Sequence, residues 1–203
     1  MKTLLIVDVQ NDFCPGGALA VESGDEIIPL INRLMPQFDL ILATQDWHPA
    51  NHKSFASNNN KQIGDVITLN GQPQIMWPDH CVQNSEGAQL HPQLQSSSID
   101  HIFQKALNPE IDSYSAFFDN DHQTSTGLGS YLSERNIKKL YICGLATDYC
   151  VKFTALDAVQ LGFETYLIAD ACRGVNLQPD DSINAIAELK DGGVHIIESN
   201  ALL

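Results

Sequence analysis

Lys2-Thr3-Leu4-Leu5-Ile6-Val7-Asp8-Val9 puts large aliphatic side chains on four consecutive positions, Leu4 to Val7, and then meets a carboxylate. A β-strand sends successive side chains to opposite faces, so an unbroken apolar run needs cover on both sides of its sheet. Asp39–Thr44, Ile99–Gln104, Lys139–Cys143, Glu164–Ala169 and Val194–Glu198 repeat this short β-branched pattern. Between them, Glu26–Met35, Thr126–Arg135, Asp148–Leu161 and Asp180–Lys190 space their apolar residues as helices do, with Ser125 and Asp180 as starts and Gly162 and Gly192 as stops. The alternation predicts an α/β fold. The expected architecture is a single doubly wound domain over residues 1–203, with a six-stranded, mostly parallel sheet and helices on both faces.

Composition narrows the function classes. Eleven basic against 25 acidic side chains give a net charge of −14, with no local basic cluster, so neither nucleic acid nor an anionic membrane is an expected partner. No apolar run approaches the length of a membrane span, and the N-terminal one is too short for a signal-peptide core, which points to the cytoplasm. Cys14, Cys81, Cys143, Cys150 and Cys172 are scattered and odd in number, with no C-x-x-C pair. That fits a reducing compartment better than a disulfide framework or a zinc ribbon.

Two stretches interrupt the rhythm. Residues from Gln45 to about Leu94 lack periodicity and are rich in Asn, Gln, Pro, His and Trp, and Asn108–Thr124 is a second irregular segment. Long loops in compact domains are usually functional. Open parallel sheets bind ligands beyond the carboxyl ends of their strands. The residues just past those ends are therefore the candidates: Asp8, Gln10, Asn11 and Asp12; Asp46 and His48; Lys105; Gly144 to Cys150; and Asp170.

Cys150 follows a strand and falls in the first turn of a helix, where unpaired N–H groups and the helix dipole would lower a thiol's pKa and could hold an oxyanion. The other cysteines read as small buried residues. Asp8 and Lys105 each end a strand, and sequence alone leaves them equally open as a structural ion pair or as acid–base machinery. Asp46 and His48 share a face of an extended segment, His52 can turn back to them through Pro49 and Asn51, and His80 lies in the same irregular region. Carboxylate and imidazole on a loop suit a catalytic metal with open positions, although loop histidines also serve as plain hydrogen-bonding residues. Phe13, Trp47, Trp77 and Tyr114 lie near these groups in the chain and could stack on a flat ring or pack the core.

Taken together, Asp8-Val9-Gln10-Asn11-Asp12-Phe13-Cys14, Asp46-Trp47-His48-Pro49, Trp77-Pro78-Asp79-His80-Cys81 and Gly144-Leu145-Ala146-Thr147-Asp148-Tyr149-Cys150-Val151 resemble the nicotinamidase branch of the isochorismatase-like cysteine hydrolases. The resemblance runs to about Gly174. It implies hydrolysis of nicotinamide to nicotinate and ammonia in NAD salvage, with pyrazinamide as a close analogue. Asp8, Lys105 and Cys150 would be the catalytic triad, and the N–H groups of Ala146 and Cys150 the oxyanion hole, beside a cis Leu145–Ala146 bond. Asp46, His48, His52 and His80 would bind one divalent metal, zinc first, with iron or manganese as alternatives. Phe13 and Trp77 would flank the pyridine ring, with Tyr114 also against the substrate.

Two other readings remain at this stage. One is a sibling hydrolase acting on a ureido, carbamoyl or isochorismate substrate, disfavoured by the Asp/His cluster. The other is a non-catalytic metal-binding domain of the same fold, disfavoured by the intact triad.

Overall fold

The computed structural model describes residues 1–203. Its strands are β1 (Thr3–Val7), β2 (Leu40–Asp46), β3 (Val66–Leu69), β4 (Gln72–Ile75), β5 (His101–Lys105), β6 (Lys139–Leu145), β7 (Glu164–Arg173) and β8 (His195–Ile197). The helices are α1 (Ile28–Leu34), α2 (Leu128–Glu134), α3 (Lys152–Gln160) and α4 (Asp181–Asp191). Six strands form one sheet in the order β5-β2-β1-β6-β7-β8, and every neighbouring pair is parallel. Chain order runs outward from β1 in one direction and then from β6 in the other, so the topology switches between these two strands. Every residue of β1 and of β2 is buried, which is the two-sided cover that consecutive apolar positions demand. No helix is long and apolar enough to cross a membrane.

Two features depart from the sequence reading. The region 45–94 is not wholly irregular: β3 and β4 form an antiparallel hairpin in which Leu69 faces Gln72. Its turn is Asn70-Gly71, both left-handed, with φ of 49° and 80°. Asn-Gly is the strongest short hairpin signal, but Val66–Leu69 is exposed or half-buried throughout and shows no apolar alternation. The second departure is β7, which runs four residues past the expected end at Ala169, to Arg173. Asp170 consequently lies inside a strand, where its carboxylate accepts from Ser199 N–H (2.8 Å) and Ser199 Oγ (2.5 Å) and ties down the C-terminal turn. It takes no part in the candidate site.

At the switch point the backbones come close. Gly144 has φ 119°, and a Cβ there would sit 2.1 Å from the Val7 carbonyl oxygen. Only glycine lets β6 approach the end of β1 this closely. Gly144→Ala should therefore cost about 3 kcal/mol or more, by steric overlap and a disfavoured φ together. The midpoint of urea unfolding measures this, and a variant as stable as the parent would show that the two strands are free to separate.

Candidate active site

Asp8, Lys105 and Cys150 meet at the carboxyl end of the sheet. Asp8 leaves β1 in the left-handed region (φ 48°), and Ala106, just after Lys105, does the same (φ 57°). Both are sparsely populated conformations for residues with a Cβ, held here by their surroundings. Asp8 is anchored from β2, where Thr44 Oγ1 donates to its Oδ1 at 2.6 Å and accepts from its N–H at 3.1 Å. Lys105 Nζ lies 3.0 Å from Asp8 Oδ2 and 3.5 Å from Cys150 Sγ. It also donates to the Ser113 carbonyl at 2.9 Å and pairs with the Asp46 carboxylate.

Burial governs the proton positions. Lys105 is 1% exposed; burial works against its charge, but the carboxylates of Asp46 and Asp8 outweigh it and raise the ammonium's pKa well above the ordinary value. Burial raises Asp8, Lys105 pulls it back and Asp46 pushes it further up, so the net shift is upward. The Cys150 thiol is also pushed well above the usual range by burial, against the pull of Lys105 and with a further push from Asp8. This reverses the sequence expectation. Cys150 does lie in the first turn of a helix, since Thr147–Val151 is a π-helical turn running straight into α3, but burial there outweighs any help from the helix dipole. Cys150 rests as a neutral thiol beside a carboxyl that can take its proton.

At the end of β6, the Leu145–Ala146 peptide is cis, as the resemblance implies. The Ala146 N–H makes no protein hydrogen bond, and the Ala146 carbonyl accepts from Tyr149 and Val151, both at 3.1 Å, on either side of Cys150. The Ala146 donor is thus free for an anion in the cleft that Ala146 and Cys150 both line.

Asp46, His48 and His80 form a second, adjoining group, with one potential ligand atom from each lying within 4.8 Å of the others. His48 Nε2 is 3.4 Å and His80 Nε2 3.8 Å from Asp46 Oδ2. His80 Nδ1–H donates to the Pro78 carbonyl at 2.7 Å, which leaves its Nε2 lone pair facing Asp46. Burial, with His48 alongside, lowers the His80 pKa to about 4, so the ring is neutral as a ligand must be. His48 is wholly buried, and neither ring nitrogen has a hydrogen-bond partner. Such orphaned polar atoms are costly unless something else binds them. The charges lining the two groups agree: Asp8, Asp46 and Asp112 bring three buried carboxylates, against one buried lysine, Lys105. This donor set fits a divalent cation.

His52 stands on the other side of His48, with ring centroids 4.4 Å apart. Its Nδ1 accepts from Ser54 N–H at 3.1 Å, and its Nε2 lies 3.2 Å from the Ile111 carbonyl. It groups with His48 and Asp112 rather than with Asp46 and His80. Asp112 was not foreseen. It is a buried carboxylate in the irregular second loop, and nothing in the sequence around it signals burial. Thr44 and Ser113, which fix Asp8 and Lys105, were missed for the same reason: each acts through one contact that only the fold creates.

A small cleft opens onto both groups, lined by Phe13, Trp77, Tyr114, Tyr149, Ala146 and Cys150, with Asp46, His80 and Asp112 along its polar side. Trp77 Nε1 donates to the Tyr114 hydroxyl at 3.1 Å, and Trp77 meets Tyr149 edge-on at 5.0 Å, so the aromatic wall is cross-braced. Trp47 packs against the core instead.

The Isochorismatase domain family matches residues 2–201. The nicotinamidase of Escherichia coli is 53% identical over 196 residues, covering 95% of this chain and 92% of its own. A solved nicotinamidase/pyrazinamidase of Acinetobacter baumannii superposes with a TM-score of 0.96 at 48% identity, over 99% of this chain and 97% of that one. A pyrazinamidase of Pyrococcus horikoshii, solved in complex with zinc, gives 0.79 at 40% identity, over 97% of this chain and 98% of that one.

The loop that supplies Ser113 and Tyr114 carries its own titrating group. Asp119 is 5% exposed, and burial, with Asp121 adding, pushes its carboxyl from 3.8 up to about 6. A raised native pKa adds stability fully below the unfolded value and loses it as pH rises through the native one. The parent should therefore lose stability between about pH 4 and pH 6, and Asp119→Asn should flatten that limb. Urea midpoints across the window check this, and parallel curves for the two proteins would contradict it.

Proposed function

The chain belongs to the isochorismatase family, and on that premise we propose that it hydrolyses the carboxamide of nicotinamide to nicotinate and ammonia through a thioester on Cys150. It is an amidohydrolase. The observation that carries the mechanism is the buried ammonium of Lys105, which touches both the Asp8 carboxylate and the Cys150 sulfur at the cavity wall.

An amide is a weak electrophile, so a neutral buried thiol must be ionised as it attacks. Asp8, its pKa raised by burial, accepts the Sγ proton, and Lys105 stabilises the sulfur anion at 3.5 Å. The sulfur adds to the carboxamide carbon, and the oxyanion settles on the N–H groups of Ala146 and Cys150. Each such donor is worth on the order of 3 kcal/mol in the barrier. Asp8 returns the proton to the departing nitrogen, and ammonia leaves. A water then yields its proton to Asp8 and attacks the thioester; nicotinate departs and the thiol is restored.

Phe13 and Trp77 flank the pyridine ring, with Tyr114 holding the Trp77 indole in place. Asp46, His48 and His80 would hold the divalent cation, zinc by analogy with the Pyrococcus horikoshii protein, with His52 beside them. When bound, the cation supplies a Lewis-acid anchor for the ring nitrogen, which orients and polarises the substrate. Pyrazinamide, a related heteroaromatic carboxamide, fits the same chemistry. Residues 1–203 would act as one catalytic unit to which the region 45–94 contributes cation ligands. A role in pyridine-nucleotide salvage and five unpaired cysteines suit the cytoplasm.

Cys150→Ala should lower ammonia release from nicotinamide by on the order of 10⁴-fold or more while bound zinc stays near the parental level. Ammonia release, compared across nicotinamide, a ureido compound and isochorismate, before and after chelation, measures this. Undiminished turnover by the variant, or a preference for either rival substrate, would overturn the assignment.

A further inference from the structure

Two residues of the first motif, Gln10 and Asp12, have no part in the steps above, yet both are tied into the cation site. Gln10 is fully buried just past the end of β1. Its Nε2 donates to the Asp46 carbonyl and to the Ala88 carbonyl, each at 2.8 Å, and its Oε1 accepts from Asp46 N–H, also at 2.8 Å. One side-chain amide thus binds both backbone groups of a single residue, as a neighbouring strand would. It does so beyond the last backbone register of the β1–β2 pair, Ile6 with Ala43.

Asp12 grips the other arm. Its Oδ2 accepts from Cys81 N–H at 2.7 Å and its Oδ1 from Ala18 N–H at 3.1 Å. Cys81 directly follows His80 and has φ 46°, an unfavourable conformation for a cysteine. The Cys81 carbonyl accepts from His48 N–H at 3.0 Å, so both backbone groups of Cys81 are engaged. Gly87 makes room for this: a Cβ there would lie 2.1 Å from Asp12 Oδ2.

Elementary packing does not ask for this. An apolar side chain of similar volume could fill the space of Gln10 but would strip the Asp46 N–H and C=O of these partners, and a buried amide is tolerated only when its hydrogen bonds are made. What the bonds achieve is spacing. Asp46 arrives from β2, His80 from a distant loop, and the segment after β1 holds both.

We infer that Gln10 and Asp12 are positioning residues that set the separation of Asp46, His48 and His80 before a divalent cation binds. The inference rests on reading those three residues as the cation site. Groups that orient metal ligands from outside typically account for about 10- to 100-fold in affinity.

The test is the Zn²⁺ dissociation constant of the full chain, stripped by chelation and titrated against a chromophoric competitor. Gln10→Ala and Asp12→Asn are measured beside the parent and His48→Ala, with the melting temperature of each metal-free protein. Gln10→Ala should bind Zn²⁺ about 10- to 100-fold more weakly, and Asp12→Asn should shift in the same direction. A residue with only a structural role would lower the metal-free melting temperature and leave the Zn²⁺ constant of the folded protein unchanged. That result in either folded variant overturns the inference. Should Gln10→Ala fail to fold, Asp12→Asn decides alone. If instead the parent takes up no Zn²⁺, or His48→Ala binds it as tightly as the parent, the cation site itself is misassigned.

Discussion

A single ammonium, that of Lys105, joins the two halves of the site. It is almost wholly buried, so its charge is tolerable only with anions in contact, and it has two, Asp8 on one side and Asp46 on the other. Asp8 adjoins Cys150 and Asp46 adjoins His48 and His80, so in the proposed mechanism one buried charge fixes the distance between nucleophile and cation ligands. Truncating Lys105 would leave two buried carboxylates without their cation, a loss of about 3–5 kcal/mol in such settings. The parallel sheet makes the meeting possible: Asp46 and Lys105 are register partners on β2 and β5, and Asp8 ends the neighbouring β1.

The electrostatics also explain why a carboxyl and a lysine accompany the cysteine. Desolvation keeps the thiol neutral, which protects it, but a neutral thiol is a poor nucleophile. In the proposed mechanism Lys105 lowers the cost of forming the anion, and Asp8, itself raised by burial, is a base matched to taking the proton. Activation is thereby confined to the moment of attack. The orphaned nitrogens of His48 and the buried carboxylates of the adjoining group fit a divalent cation in the same way.

The sheet was legible because its signal is periodic. All six predicted strands exist, most within a residue or two of their expected bounds, since runs such as Leu4–Val7 have no stable home outside a covered sheet. The strand-end rule then placed Asp8, Asp46, Lys105 and Cys150 at one rim, and the structure brings all four together. Residues whose role depends on one tertiary contact were not legible: Thr44, Asp112 and Ser113 look like ordinary polar residues until the fold buries them. The protonation of Cys150 was misjudged because a helix dipole can be inferred from sequence, whereas the depth of burial opposing it cannot. The β3–β4 hairpin carried a signal in Asn70-Gly71, but its exposed strands lack the apolar alternation that would have drawn notice.

The convergence of Asp8, Lys105 and Cys150 is tested most directly by trapping the acyl group. Protein mixed briefly with excess nicotinamide, quenched in acid, digested and weighed by mass spectrometry should carry a nicotinoyl group on the peptide containing Cys150. The same treatment of Asp8→Asn and Lys105→Met should leave that peptide unmodified. A nicotinoyl group on another residue, or equal labelling of Cys150 in those variants, would contradict the account.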